Sequence, residues 1–278
     1  MSAAPRIDWS LVIPAAASIV RSYDTNVTLR QLHYRLVSDP SLGYPNTTNA
    51  YKSLSSKTAE LRRLGEFPRL HDRTRSVHRP DYFEDCADVL EVVVHSYRRD
   101  RTIGQAVNLF IAVEKNGLIE QLRSWFYGYG VGVLALGGYA SQGLVDDVVD
   151  RIVYDGRPAV LLYAGDFDPS GEDIDRAFVK SVGLFARVHR VALSARQVEE
   201  FDLPPNPGKS GDSRAGQFVE RHGELVQVEV DALPPDVLRG LFVDRFLAYW
   251  NRDAYEQVQA AEAEDRETLR AIAAGWRK

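Results

Sequence analysis

Cysteine is nearly absent from this 278-residue chain: Cys86 stands alone, and there is also a single methionine. One thiol forms no internal disulfide and builds no thiolate metal centre, and it fits a reducing compartment. No apolar run is long enough to span a bilayer. The opening Met1-Ser-Ala-Ala-Pro-Arg-Ile-Asp-Trp9 lacks the apolar core of a secretory signal. Internal repeats and low-complexity segments are missing too. These absences lead to the expectation of a soluble, cytoplasmic protein with no membrane partner.

What is present is ordinary globular composition, 45% hydrophobic and 26% charged, at a length that predicts two domains. The net charge of −5 is unevenly spread. Residues 1–80 hold 12 of the 34 basic and 6 of the 39 acidic side chains, leaving 22 basic and 33 acidic for the rest. A basic first domain before an acidic second one is the pattern of a nucleic-acid grip joined to a metal-binding module, although solvated faces also drift in charge.

The first segment reads as short helices. Trp9 to Ser22 is helix-compatible but interrupted early by Pro14. Thr28 caps a helix to about Val37, and a third helix runs from about Thr48 to Leu64, stopped by Gly65. With the short segment Phe67–Arg75 these resemble a winged helix-turn-helix, whose last helix enters a DNA groove. The exposed Lys52, Lys57, Arg62 and Arg63 of that helix suit phosphate contacts. Domain boundaries are expected at 1–79 for the winged helix, 80–105 for a connecting helix (Pro80 to Arg101) and 106–278 for an α/β domain with a helical C-terminal extension. In the last, short apolar strands (Leu109–Val113, Val131–Leu136, Ala159–Ala164, Val188–Leu193) alternate with helices (Gly117–Phe126, Gln142–Tyr154, Ser170–Val182), which predicts a parallel sheet flanked by helices. One or two helices follow between Asp236 and Trp276.

The chemistry concentrates in Pro158-Ala-Val-Leu-Leu-Tyr-Ala-Gly-Asp-Phe-Asp-Pro-Ser-Gly-Glu-Asp-Ile174. An apolar strand delivers Asp166 and Asp168, which share a side because side chains i and i+2 do. Pro169 then suits the first turn of a helix. The earlier strand ends Val113-Glu-Lys-Asn-Gly117, placing Glu114 and Lys115 at the same carboxyl edge, where open α/β sheets bind ligands. Glu114, Asp166 and Asp168, with Glu172 one turn into the helix, offer oxygen ligands without cysteine or a histidine cluster. Such a set favours Mg²⁺ or Mn²⁺. Lys115 supplies positive charge for a phosphate oxygen. The plainer reading of Asp168 is a helix cap before Pro169.

The joint pattern, strand-terminal Glu-Lys-x-Gly followed by Asp-x-Asp-Pro-x-Gly, resembles the Toprim domain of topoisomerases, primases and related nucleases. With a winged helix before it, the chain resembles the A subunit of topoisomerase VI and the meiotic double-strand-break transesterase, and especially small stand-alone proteins of that kind from bacteria and phages. The match covers most of residues 28–195. Thr28-Leu-Arg-Gln-Leu-His-Tyr-Arg-Leu36 corresponds to that family's tyrosine motif, with Arg30 and Tyr34 in place and His33 standing for the first of two tyrosines. On a helical wheel Leu29, Leu32 and Leu36 form one stripe and Tyr34 lies roughly 150° away, presented outward.

The resemblance implies that Tyr34 attacks a DNA phosphodiester and joins the 5′ phosphate, with Arg30, Lys115 and a Mg²⁺ or Mn²⁺ stabilising charge. It implies a homodimer on double-stranded DNA in which the tyrosine of one protomer works with the metal of the other, and a separate ATPase subunit. Two other readings stay open: a Toprim nuclease that hydrolyses DNA with metal-activated water, and a non-catalytic DNA-binding component of a larger assembly. Three further features are ambiguous. Gly137-Gly138 is a turn that permits close approach to phosphate. The loop Pro204–Arg214 lacks the first glycine of a P-loop but offers Lys209 and Arg214 to DNA. Glu229 and Asp231 form a second acidic i,i+2 pair, read either as an extra metal site or as the solvent face of an edge strand.

Overall fold

A computed structural model describes residues 7–23, 26–71, 80, 82–207 and 212–276. Three helices, α1 (Trp9–Ser22), α2 (Leu29–Val37) and α3 (Thr48–Arg63), enclose a small core of their own around Val12, Ala16, Leu32, Leu36 and Leu54. Asp8 caps α1, Thr28 caps α2 through a reciprocal box with Gln31, and Thr47 caps α3. Pro14 does not interrupt α1. It lies on the exposed side, so the Ser10 carbonyl it leaves without a helical donor faces water. Of the expected wing segment Phe67–Arg75, residues 67–71 are described and make a single parallel bridge, His71 to Thr28, while 72–75 lie outside the described residues.

The connecting helix is shorter than expected, α4 (Cys86–Ser96). Beyond Tyr97 the backbone turns extended because its side chains are taken by a later helix. Arg99 bonds Asp265, and Arg101 pairs with the buried Glu262 at 2.6 Å. Both acids lie on α11 (Arg252–Trp276), which follows α10 (Pro235–Leu247), so the carboxyl-terminal region is two helices.

Between these lies the α/β unit. Strands β1 (Asn108–Val113), β2 (Gly132–Ala135), β3 (Ala159–Ala164) and β4 (Phe185–Ala192) form one parallel sheet in the order β2-β1-β3-β4. Helices α5 (Ile119–Phe126), α6 (Gln142–Asp155) and α7 (Pro169–Val182) connect them; α8 (Ala195–Glu200) and α9 (Ala215–His222) follow, with a short antiparallel pair of β5 (Asn206–Pro207) and β6 (Val226–Gln227). The two-residue period sorts the strand side chains cleanly. Ile111, Val113 and Leu162 pack with α5 and α10 on one face, while Phe110, Leu161 and Tyr163 pack with α6 and α7 on the other. Burial on both faces explains why these strands are apolar throughout.

The β3–α7 junction is the tightest place in the fold. A Cβ on Gly171 would fall well inside contact distance of the Asp166 carbonyl, an oxygen that also accepts a 2.5 Å hydrogen bond from Arg190. Gly171→Ala is therefore expected to cost about 1–3 kcal/mol by forcing the junction apart. Gly143→Ala, with open space at its Cβ in α6, should be neutral or stabilising by up to about 1 kcal/mol. Urea unfolding of the two variants distinguishes them; equal effects would contradict the packing described.

Candidate active site

Three chain segments meet at the carboxyl edge of the sheet. The backbone N–H of Glu114 bonds Ala164 O at 2.9 Å, continuing the β1–β3 ladder one residue past the strand. The Glu114 side chain then reaches across, and its Oε2 accepts from the Asp166 N–H at 2.9 Å. The third segment runs back over this edge. Phe167 and Val228 exchange N–H···O bonds of 2.9 and 3.0 Å, and Val230 N–H donates to Asp166 Oδ1 at 3.0 Å. Those contacts place Glu229 inside the cluster and bury it, at 8% exposure, together with Asp231. Of the two readings of Glu229 and Asp231, the solvent face of an edge strand is thus corrected: the segment pairs with the residues after β3 and both acids are buried.

Lys115 occupies the centre. Its ammonium contacts Asp166 Oδ2, lies 2.6 Å from Glu229 Oε2 and 3.8 Å from Glu114 Oε1. Arg30 and Tyr34 arrive from α2, one turn apart on the same face. Tyr34 Oη donates to Glu229 Oε1 at 3.0 Å, and Arg30 Nη2 reaches Glu229 Oε2 at 3.2 Å. Tyr34 does lie off the Leu32–Leu36 stripe, but the outward face of α2 abuts the α/β unit. His33, on the inner side, is buried and held by Tyr44 and Asn46.

Three carboxylates share two cations here, and their titration follows. Burial pushes the Asp166 carboxyl well above its ordinary value, with Glu229 adding to the shift and Lys115 opposing it. Burial likewise raises Glu114. Burial raises Glu229 as well, but Lys115, Arg30 and the Tyr34 hydroxyl outweigh it and hold that carboxyl below its usual range. Tyr34 is pushed up to about 12 by burial and by Glu229, against the pull of Arg30. Lys115 is depressed by burial but raised overall by Asp166 and Glu229, so it remains an ammonium.

The other expected site residues have different employment. Asp168 caps α7, its Oδ1 accepting from Gly171 N–H at 2.6 Å. It lies close enough to Glu114 to raise that carboxyl, yet its hydrogen bond serves the helix. Glu172 turns to α9, bonding Arg221 at 2.8 Å and His222 at 2.9 Å. Arg214 is not free for DNA, because Asp212, Ser170, Asp173 and Tyr139 hold its guanidinium. Lys209 lies outside the described residues. Lys52, Arg62 and Arg63 are exposed on α3, and the Lys57 ammonium stands 5.3 Å from the centre of the Trp9 ring. Sequence reasoning overlooked Arg190, which ties Asp166 O to Asp175 and Leu193 O and so fixes the strand end.

Among the described residues no group of three histidine, cysteine, aspartate or glutamate side chains is arranged so as to hold a metal ion. The donor chemistry nevertheless suits one: Glu114 and Asp166 are adjacent, buried, oxygen-only and in excess over the local positive charge. The position a divalent cation would neutralise is taken by the Lys115 ammonium.

Lys115→Met is expected to destabilise the protein by about 3–5 kcal/mol, since it leaves buried carboxylates uncompensated. Added Mg²⁺ or Mn²⁺ should raise the melting temperature of this variant more than that of the parent; equal shifts would contradict a shared cation position. A second expectation concerns pH. A carboxyl raised in the folded state binds more protons there than in the unfolded chain, so stability falls as pH rises from the ordinary 3.8 toward the raised value. Asp166→Asn should remove that decline, read as a stability difference from the parent that shifts in favour of the variant with rising pH in urea titrations. A constant difference would contradict the assignment. Compared with known proteins, the chain matches no family model and no curated protein.

Proposed function

We propose that this protein cleaves DNA strands by tyrosine transesterification, as a Toprim protein with a winged helix-turn-helix, similar to the A subunit of topoisomerase VI. The observation that carries the reading is the contact of Tyr34 and Arg30 with Glu229, beside Lys115, Asp166 and Glu114. A tyrosine, two cations and the acidic cluster, read from separate motifs, lie together, and that supports the reading. The exposed Lys52, Arg62 and Arg63 on α3, in the basic first segment, support double-stranded DNA as the partner. The resemblance extends the proposal to a homodimer that works with a separate ATPase subunit.

In the reaction Tyr34 Oη attacks the phosphorus and loses its proton to solvent. The P–O3′ bond breaks, and the 3′ oxygen takes a proton from solvent to become a hydroxyl, leaving the 5′ phosphate on the tyrosine. Arg30 faces the entering oxygen and is placed to balance charge on the phosphoryl oxygens. Glu114 and Asp166 would hold a Mg²⁺ or Mn²⁺, whose chemistry is Lewis-acid stabilisation of the phosphate. With a metal held there, the Lys115 ammonium would be displaced from Asp166 and left as a positive charge beside Glu229.

One observation favours the rival, hydrolysis by metal-activated water: Tyr34 Oη is engaged as a donor to Glu229, and burial and that carboxylate make the phenol harder to ionise. A plasmid assay with Mg²⁺, stopped in denaturant, separates the two. Transesterification predicts DNA ends carrying covalent protein, abolished by Tyr34→Phe and by Asp166→Ala. Free ends that persist undiminished in Tyr34→Phe would support the nuclease, and no cleavage at all would favour a DNA-binding component.

A further inference from the structure

We propose that two copies of this chain pair through α4, packed antiparallel about a two-fold axis near Val92. The inference gives the homodimer of the proposed function an interface. It rests on the surface of one helix, and on neither Tyr34 nor the acidic cluster.

A helix on a protein surface ordinarily buries one stripe and turns charge to water. α4 departs from this. Its sequence, Cys86-Ala-Asp-Val-Leu-Glu-Val-Val-Val-His-Ser96, is apolar on two opposite sides. At about 100° per residue Ala87, Leu90 and Val94 point one way. That side packs along α11, and Val94 is buried there. Cys86, Val89, Val92, Val93 and Ser96 lie within roughly 60° of the opposite direction, with no charged residue among them. Val89, Val92 and Val93 are 39%, 50% and 43% exposed. The exposed Tyr82 and Phe83, just before the helix, wall a shallow groove of about 610 Å³ beside Val92, with Asp88 and His95 along it.

The charges beside this face select its occupant. Asp88 and His95 flank it on the same side, about two turns apart. The helix begins among Glu84, Asp85 and Asp88 and ends at His95, with Arg98 just beyond. A two-fold axis at right angles to α4, midway between Asp88 and His95, reverses the helix and keeps that flank on one side. Asp88 then meets the partner's His95, Val92 meets the partner's Val92, and Val89 meets the partner's Val93. The acidic start lies against the basic end twice over, and the two helix dipoles run opposed. The polar atoms suit the pairing. His95 spends Nδ1 on the Glu91 carbonyl at 2.7 Å, and Asp88 Oδ2 accepts from the Glu84 N–H at 3.1 Å, so His95 Nε2 and Asp88 Oδ1 take no part in those bonds. A parallel pairing would set Asp88 against Asp88. A face whose apolar centre and flanking charges match themselves under rotation fits a second copy of this chain.

Sedimentation and light scattering of the full chain over a concentration series test this. The parent should approach about twice the 31.2 kDa of one chain. Val92→Glu sets two carboxylates against each other on the axis and should raise the dissociation constant about 100-fold or more, each change counting twice by symmetry. Because Val92 is half exposed, the melting temperature of the variant monomer should match that of the parent diluted to monomer. A charge exchange reads the geometry. Asp88→Lys and His95→Glu should each weaken the dimer about 10-fold, and the double variant should return to within a few-fold of the parent. Additive weakening would overturn the antiparallel pairing. A dimer indifferent to Val92→Glu would overturn the interface and leave the homodimer of the proposed function standing. A parent that stays monomeric throughout would overturn both, while the cleavage assay would still decide the chemistry.

Discussion

The Lys115 ammonium is the constraint around which the candidate site is organised. Asp166, Glu229 and Glu114 come from three separate parts of the chain, and without a shared cation their mutual repulsion in a buried space would drive them apart or protonate them. With it, the carboxyl ends of β1 and β3 and the segment around Glu229 become one unit. Glu229, pulled below its ordinary range by Lys115 and Arg30, then presents a charged acceptor to α2. The helical first segment docks on the α/β unit through Arg30 and Tyr34 at this point. The electrostatics that hold the acids together thus also position the residue read as the nucleophile.

Much of the sheet was legible because its signals are local. Short apolar runs bounded by turn residues predicted all four strands within a few residues, and Ala159–Ala164 matched without adjustment. Helix starts were legible where a side chain caps them, as at Thr28 and Ser141. Pro14 misled because proline's cost depends on whether the freed carbonyl meets water. The connecting helix misled because Arg99 and Arg101 are claimed by acids more than 150 positions away. Residues 29–37 carried enough periodicity to orient Tyr34 away from the first core, but not to show what it would face.

The site was legible in its members and not in its connections. Glu114, Lys115 and Asp166 meet because strand ends of one parallel sheet lie together, which the alternation of strands and helices already implies. Asp168 and Glu172 satisfy the same pattern, yet a helix N-terminus and a neighbouring His–Arg pair hold them instead. Glu229 carries no such strand-end signature. Val228-Glu-Val-Asp reads as a half-exposed strand by its two-residue period, and only its pairing with Phe167 turns both acids inward. That pairing spans 61 positions and follows from no local rule.

The central claim, that Tyr34 of the helical segment is bound to Glu229 of the α/β unit, is tested most directly by a double-mutant cycle. Urea unfolding of the parent, Tyr34→Phe, Glu229→Ala and the double variant isolates the coupling between two side chains 195 positions apart. The structure predicts a favourable coupling of about 1.5–3 kcal/mol, as for a hydrogen bond to a charged group. Strictly additive effects, with coupling near zero, would contradict the contact and the site built on it.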